Sequence, residues 1–170
     1  GRAPPPAAPP PAAAAAASVG CGPRAAAAVA GHTHAHRALE EALACLKAQE
    51  DCLLFPSGYA ANGAVLGALA DGPNVHVFSD ALNHASLVDG ARLAARGAGA
   101  ALSVYRHGDL GHLETLLASS GAGRKLVVTD SLFSMDGDFA DLRGLAALRR
   151  RHGFLLAVDE AHATLVCGEG

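Results

Sequence analysis

The chain has 170 residues and 17.0 kDa, with 51% hydrophobic residues, mean hydropathy +0.24, a formal net charge of −3 and an isoelectric point near 6.3. That length and apolar content exclude a wholly disordered polypeptide. The mild acidity, with no basic block beyond Arg149-Arg150-Arg151, excludes the electrostatic footprint of a nucleic-acid or anionic-membrane binder, and no apolar run approaches the ~20 residues that span a bilayer.

Residues 1–20, a proline run followed by an alanine run, are low in complexity and predict polyproline II or disorder, then a frayed alanine helix. The folded part is expected over 21–170. Four cysteines, Cys21, Cys45, Cys52 and Cys167, form no C-x-x-C pair. They are expected to be buried free thiols in a reducing compartment.

Gly31-His32-Thr33-His34-Ala35-His36 places three histidines at alternate positions, which would converge on a metal if the segment were a strand. Thr33 followed by Leu39, Leu43 and Leu46 at helical spacing makes an N-cap the better reading, and no carboxylate cluster nearby completes a metal shell. Cys52–Phe55 predicts a short buried strand that Pro56-Ser57-Gly58 ends before a helix near Tyr59. Free backbone N–H groups at such a turn are a ready anion site.

Val75–Phe78 predicts the next strand. His84 then falls at or just before a helix carrying Leu87, Ala91 and Ala94. A helix N-terminus disfavours an imidazolium, so a neutral ring there is suited to stack on an aromatic ligand. Strands follow at Ala101–Tyr105 and Lys125–Asp130, separated by a helix behind Asp109. A loop carrying Phe133, Ser134, Met135 and the Asp136-Gly137 turn lines something, since surface loops seldom pair phenylalanine with methionine. The helix 142–152 ends in the arginine run, which reads as its solvated terminus.

The last strand, Phe154-Leu155-Leu156-Ala157-Val158, predicts burial on both faces and runs into Asp159-Glu160-Ala161-His162. In open α/β sheets ligands sit beyond the carboxyl ends of strands, where Asp159 and His162 lie. Five alternations of strand and helix, with connections too long for hairpins, predict an α/β fold with a mostly parallel sheet and helices on both faces.

Five segments occur in a telling order: Ser57-Gly58-Tyr59-Ala60-Ala61-Asn62, Asp80-Ala81-Leu82-Asn83-His84-Ala85-Ser86, Tyr105-Arg106-His107-x-Asp109-x-x-His112-Leu113, Phe133-Ser134-Met135-Asp136-Gly137-Asp138 and Val158-Asp159-Glu160-Ala161-His162. Together they resemble the α-oxoamine synthases, pyridoxal-phosphate enzymes of the aspartate aminotransferase fold, over roughly residues 20–170. The resemblance implies pyridoxal 5'-phosphate as cofactor, held at its phosphate by the backbone around Gly58 and Tyr59. It implies that Asp159 pairs with the ring nitrogen, that His84 stacks on the ring, and that His162 and Ser134 bond near its 3-oxygen. The catalytic group would be His84, Asp159 and His162, with no metal.

The implied reaction joins L-alanine to a pimeloyl thioester with loss of carbon dioxide. Sister reactions use glycine with acetyl-CoA or serine with a long acyl-CoA. Small-molecule substrates and a homodimer are implied, in an intracellular setting, cytosolic or organellar, with the peroxisome among the options. Ala163 departs from the glycine that many relatives carry and is expected to restrict φ there. The chain's two lysines, Lys47 and Lys125, lie outside the Ser/Thr-rich setting of the family's cofactor lysine. With Gly1 at the start and Gly168-Glu169-Gly170 at the end, this leads us to expect an N-terminal fragment that does not turn over by itself, or a non-catalytic partner subunit.

Overall fold

A computed structural model of the chain describes residues 12–20, 22 and 25–167, and divides it into two compact units, Gly1–Phe55 and Pro56–Gly170. The polyproline or disordered stretch expected over residues 1–11 lies outside the described residues, as do Cys21 and the terminal Gly168-Glu169-Gly170.

In the first unit the alanine run forms helix α1 (Ala12–Val19), a π-helical turn covers Ala27–Gly31, and α2 spans His34–Leu46. Thr33 is the N-cap of α2, and its backbone N–H donates to His36 Nδ1 at 3.2 Å. Three alternate histidines therefore do not share a strand face. His36 closes the cap, and His32 Nε2 instead meets Glu40 Oε2 at 2.9 Å. Glu40 is buried and also accepts the Leu54 N–H at 3.1 Å. That backbone bond, and then His32, hold its carboxyl below the usual carboxylate range.

Two expectations fail in this unit. Cys52–Phe55 joins no ladder: Leu53 is 74% exposed and Phe55 38%, and the Leu54 N–H is spent on a side chain rather than on a neighbouring strand. The thiols are not buried either, since Cys45 is exposed and Cys52 half-buried, as is Cys167 exposed in the second unit. The inward face of α2 is set by Glu40 and Ala44, four residues apart, and Cys45 is rotated about 100° away from it.

The second unit holds α3 (Gly58–Leu69), β1 (Val75–Asp80), α4 (Ala85–Gly97), β2 (Ala101–Tyr105), α5 (Leu110–Ser119), β3 (Arg124–Asp130), α6 (Leu142–His152) and β4 (Leu155–Asp159). The strands pair in parallel, in the order β2-β1-β3-β4, so among the described residues the sheet has four strands rather than five. Strand alternation sorts the core into two layers. Val75, Val77, Leu126 and Val128 face Leu66 of α3 and Leu87, Ala91 and Ala94 of α4, while Phe78, Tyr105 and Val127 face Leu113 and Leu117 of α5 and Leu145 and Leu148 of α6. Each such valine, leucine or phenylalanine contributes about 1.5–3 kcal/mol by leaving water.

Strand β4 corrects a further expectation. It pairs only with β3, so it is an edge among the described residues: Leu155 is 43% exposed and Leu156, Ala157 and Val158 are half-buried, with full burial confined to the preceding Phe154. The arginine run does form the exposed end of α6, where positive charge suits the carbonyl pole of the helix, and Gly153 closes it at φ 64°. No helix among the described residues is long and apolar enough to cross a membrane.

Candidate functional site

Strands β1 and β3 are neighbours, yet the chain leaves β1 toward β2 on one side and leaves β3 toward β4 on the other. This reversal opens a crevice beyond the carboxyl ends of β1 and β3, the place where parallel sheets take ligands. The residues that follow these strands build its floor.

Ser79 and Asp80 end β1 in full burial. Asp80 accepts the Leu82 N–H at 2.9 Å and the Gly108 N–H at 3.1 Å, and lies 2.8 Å from His107 Nδ1, tying the turn after β1 to the turn after β2. The other His107 nitrogen meets Asp138 at 2.8 Å, and its ring stands edge-on to Phe133. These two acids raise the His107 pKa over the opposing effect of burial.

Asn83, 7% exposed, is saturated. Its amide nitrogen donates to Ser79 Oγ at 3.0 Å and to the Val128 carbonyl at 2.9 Å, while its oxygen accepts the Asp130 N–H at 3.0 Å. Such a buried and fully paired amide fixes the chain that follows it. The next residue is His84, the exposed N-cap of α4, whose backbone N–H donates to Asp130 Oδ2 at 2.7 Å. His84 Nδ1 accepts the Ser86 N–H at 3.3 Å and stands 2.7 Å from Ser86 Oγ.

Asp159 ends β4 directly beside Asp130, its register partner on β3. Asp159 Oδ1 accepts the Ala161 N–H at 2.9 Å, and Oδ2 accepts the Asn62 amide at 2.7 Å. The same Asn62 nitrogen donates to Ser86 Oγ at 2.9 Å. A hydrogen-bonded path therefore runs Asp159, Asn62, Ser86, His84 and links the two residues.

Asn62 sits one helical turn beyond Gly58, so the N-terminus of α3 lies about 6 Å along the helix from that contact. Ser57 caps α3 by accepting the Ala60 N–H at 3.1 Å, and Gly58 opens the helix with no atom within 4 Å of where a Cβ would stand. Tyr59 turns its hydroxyl away to Asp89 of α4, at 2.5 Å.

His162 is exposed in the turn after β4, and its charge is the smallest of the influences that lower the Asp130 pKa. The net shift of Asp130 is nevertheless upward, because burial dominates and the neighbouring Asp159 charge adds to it. Ser134 is exposed in the 131–140 loop and makes no hydrogen bond among the described residues. That loop folds back on itself through Phe133 N–H to Asp138 O at 3.0 Å and Gly137 N–H to Phe133 O at 2.8 Å, with Gly137 at φ 71°. Phe133 is buried beneath it while Met135 is 90% exposed, so the two apolar residues do not line a common surface.

Sequence reasoning passed over Asn62, Ser86, Asn83 and Asp130 as site-builders. Asn62, Ser86 and Asn83 stand within quoted motifs and Asp130 ends a predicted strand, but their roles depend on partners 24 to 97 positions away. Ala163 adopts no positive φ, so its methyl meets no backbone penalty. Lys125 is the second residue of β3, at the end opposite Asp130, and donates to the Leu117 carbonyl at 3.0 Å.

A family profile described as aminotransferase class I and II matches residues 5–170. A protein of Arabidopsis thaliana named 8-amino-7-oxononanoate synthase is 50% identical over 163 residues, covering 88% of this chain and 34% of its own length. A protein of the same name from Bordetella petrii is 52% identical over 154 residues, covering 88% of this chain and 38% of its own. Among solved structures, a serine palmitoyltransferase from S. paucimobilis with bound PLP superposes with a TM-score of 0.81 at 31% identity, covering 89% of this chain and 38% of that one. An 8-amino-7-oxononanoate synthase from Francisella tularensis gives 0.69 at 26% identity, covering 88% and 39%. The chain spans a little over a third of the length of these relatives.

Proposed function

The chain belongs to the class I and II aminotransferase family, and from that premise we propose that it is the cofactor-gripping part of an enzyme that condenses L-alanine with a pimeloyl thioester to 8-amino-7-oxononanoate, using pyridoxal 5'-phosphate. The observation that carries this reading is the hydrogen-bonded path joining Asp159 to His84 across the carboxyl ends of the sheet. The identity to proteins of that name, 50% and 52%, supports the choice of substrates over the serine reaction, whose structural representative shares 31%.

The donor set fits the cofactor. Asp159 offers a carboxylate for a protonated ring nitrogen, His84 a flat imidazole, and α3 a helix N-terminus at Gly58, where no atom stands within 4 Å of a Cβ position, for a phosphate. When bound, pyridoxal phosphate supplies an electron sink for the carbanion left as the amino acid loses its α-proton or carboxylate.

The residues of this chain have separate duties. Asp159, held by Asn62 and the Ala161 N–H, keeps a ring nitrogen protonated by charge and hydrogen bonding. His84, seated on Asp130 through its own backbone, offers a ring face that cannot rotate freely while Nδ1 stays bonded to Ser86. His162 and Ser134, both exposed at this end of the sheet, are assigned to the 3-oxygen side of the ring. The homodimer of the proposal would bring a second copy to this face.

Product analysis by mass spectrometry on protein expressed from its whole gene tests the reading. Alanine with pimeloyl-CoA is expected to give 8-amino-7-oxononanoate and free CoA. Turnover only of glycine with acetyl-CoA, or of serine with a long acyl-CoA, overturns the substrate assignment, and a protein that binds no pyridoxal phosphate overturns the whole proposal.

A further inference from the structure

We infer that Asn62 is a positioning residue that sets both His84 and Asp159 for the ring between them, a role that rests on the cofactor reading above. A side-chain amide nitrogen carries two hydrogens, and the Asn62 nitrogen has two acceptors in place, Asp159 Oδ2 at 2.7 Å and Ser86 Oγ at 2.9 Å. Both hydrogens are committed, in divergent directions.

The direction of the remaining bond follows. Ser86 Oγ receives an Asn62 hydrogen, so its own hydroxyl hydrogen is available for its neighbour at 2.7 Å, His84 Nδ1. That nitrogen also accepts the Ser86 backbone N–H at 3.3 Å. An atom accepting two hydrogen bonds carries no proton, so the neutral His84 ring bears its hydrogen on Nε2.

One amide thus acts on both residues. On one side it donates to Asp159 Oδ2 and so fixes the direction in which the carboxyl group faces a ring nitrogen. On the other it orients the Ser86 hydroxyl that selects the His84 tautomer and pins the plane of the imidazole. Asn62 is half-buried on α3, a helix packed closely on α4, so the amide cannot swing far from either target.

Replacement by aspartate keeps the shape but not the sign, because an ionised carboxylate accepts where the amide donates. It would face Asp159 with like charge and leave the Ser86 hydroxyl drawn toward position 62 and away from His84. Replacement by alanine removes both bonds without adding charge. Ser86→Ala removes only the hydroxyl link to His84 and leaves the Asn62–Asp159 bond.

The test uses protein expressed from its whole gene with 15N-labelled histidine, and pyridoxamine 5'-phosphate as the ligand because it needs no lysine. In the unsubstituted chain the His84 resonances are expected to report an unprotonated Nδ1 and a protonated Nε2. Asn62→Ala and Asn62→Asp are expected to move both resonances toward those of a freely exchanging imidazole and to weaken ligand binding by at least about tenfold, with aspartate the worse of the two. Ser86→Ala should move the resonances equally and weaken binding less.

Unaltered His84 resonances together with affinities within about twofold in all three variants overturn the inference. Should either Asn62 variant lose its cooperative thermal transition, the Ser86→Ala resonances decide. An unsubstituted chain that fails to bind the ligand sinks the cofactor reading, while the resonances of the same samples still uphold or overturn the link from Asn62 to His84.

Discussion

At the scale of single residues, the crevice is governed by two adjacent carboxyls given unlike surroundings. Asp159 is half-buried and bonded through each oxygen, whereas Asp130 is 4% exposed and lies against both Asp159 and the backbone of His84. Burial lifts the Asp130 pKa above its ordinary 3.8, and the Asp159 charge reinforces that shift. A carboxyl with a raised folded pKa adds stability that is complete below 3.8 and is lost as pH rises through the folded value. Asp130→Asn retains an oxygen for the His84 N–H and removes the titration. Its stability relative to the unsubstituted chain should therefore increase from about pH 4 to about pH 7, as read by urea midpoints at each pH. A constant difference across that range would show that Asp130 does not titrate as the geometry requires. Asp159 was legible in the sequence because it follows an apolar strand. Asp130 follows one too, and only the pairing of β3 with β4 reveals that the two acids share a crevice.

At the scale of elements, caps and close approaches decide how firmly the helices hold the site. The end of α2 is a Schellman motif, with Gln49 N–H on Ala44 O at 2.9 Å and Ala48 N–H on Cys45 O at 3.1 Å. It places Ala48 at φ 51°, where a Cβ is strained. Relief of that strain outweighs the added freedom of the unfolded chain, so Ala48→Gly should stabilise the protein by about 0.5–1 kcal/mol in chemical denaturation. The contact of α3 with α4 works in the opposite sense. A Cβ on Gly90 would stand 2.9 Å from Leu66 Cδ1 and 3.3 Å from the Asn62 carbonyl, and Leu66 is fully buried with nowhere to move. Gly90→Ala should cost about 1–3 kcal/mol and displace the turn of α3 that carries Asn62. The paired readout is a lower melting temperature with weaker pyridoxamine 5'-phosphate binding. A loss of stability with unchanged binding would mean that α3 moves as a rigid piece together with Asp159.

At the scale of the whole molecule, binding energy and folding energy are linked. A ligand held only by the folded chain, at a hundred times its dissociation constant, adds about 2.7 kcal/mol of stability, so saturating pyridoxamine 5'-phosphate should raise the thermal midpoint and Asp159→Ala should abolish the rise. A rise of equal size in that variant would place the ligand elsewhere. By itself the sequence determined the layered α/β arrangement, through short apolar strands alternating with helical spacing, and the order of motifs that marks the family. It also placed Thr33 and His84 at helix starts, because capping depends on residues two or three positions apart. It misjudged Cys52–Phe55, since an apolar run becomes a strand only where a partner offers its backbone, and none does there among the described residues. It overstated the burial of β4 for a related reason, because burial is a property of what packs on both sides of a strand. Only the tertiary structure decided which polar groups meet, bringing Asn62 to Asp159 across 97 positions, since a hydrogen bond is set by distance and angle in space rather than by spacing along the chain.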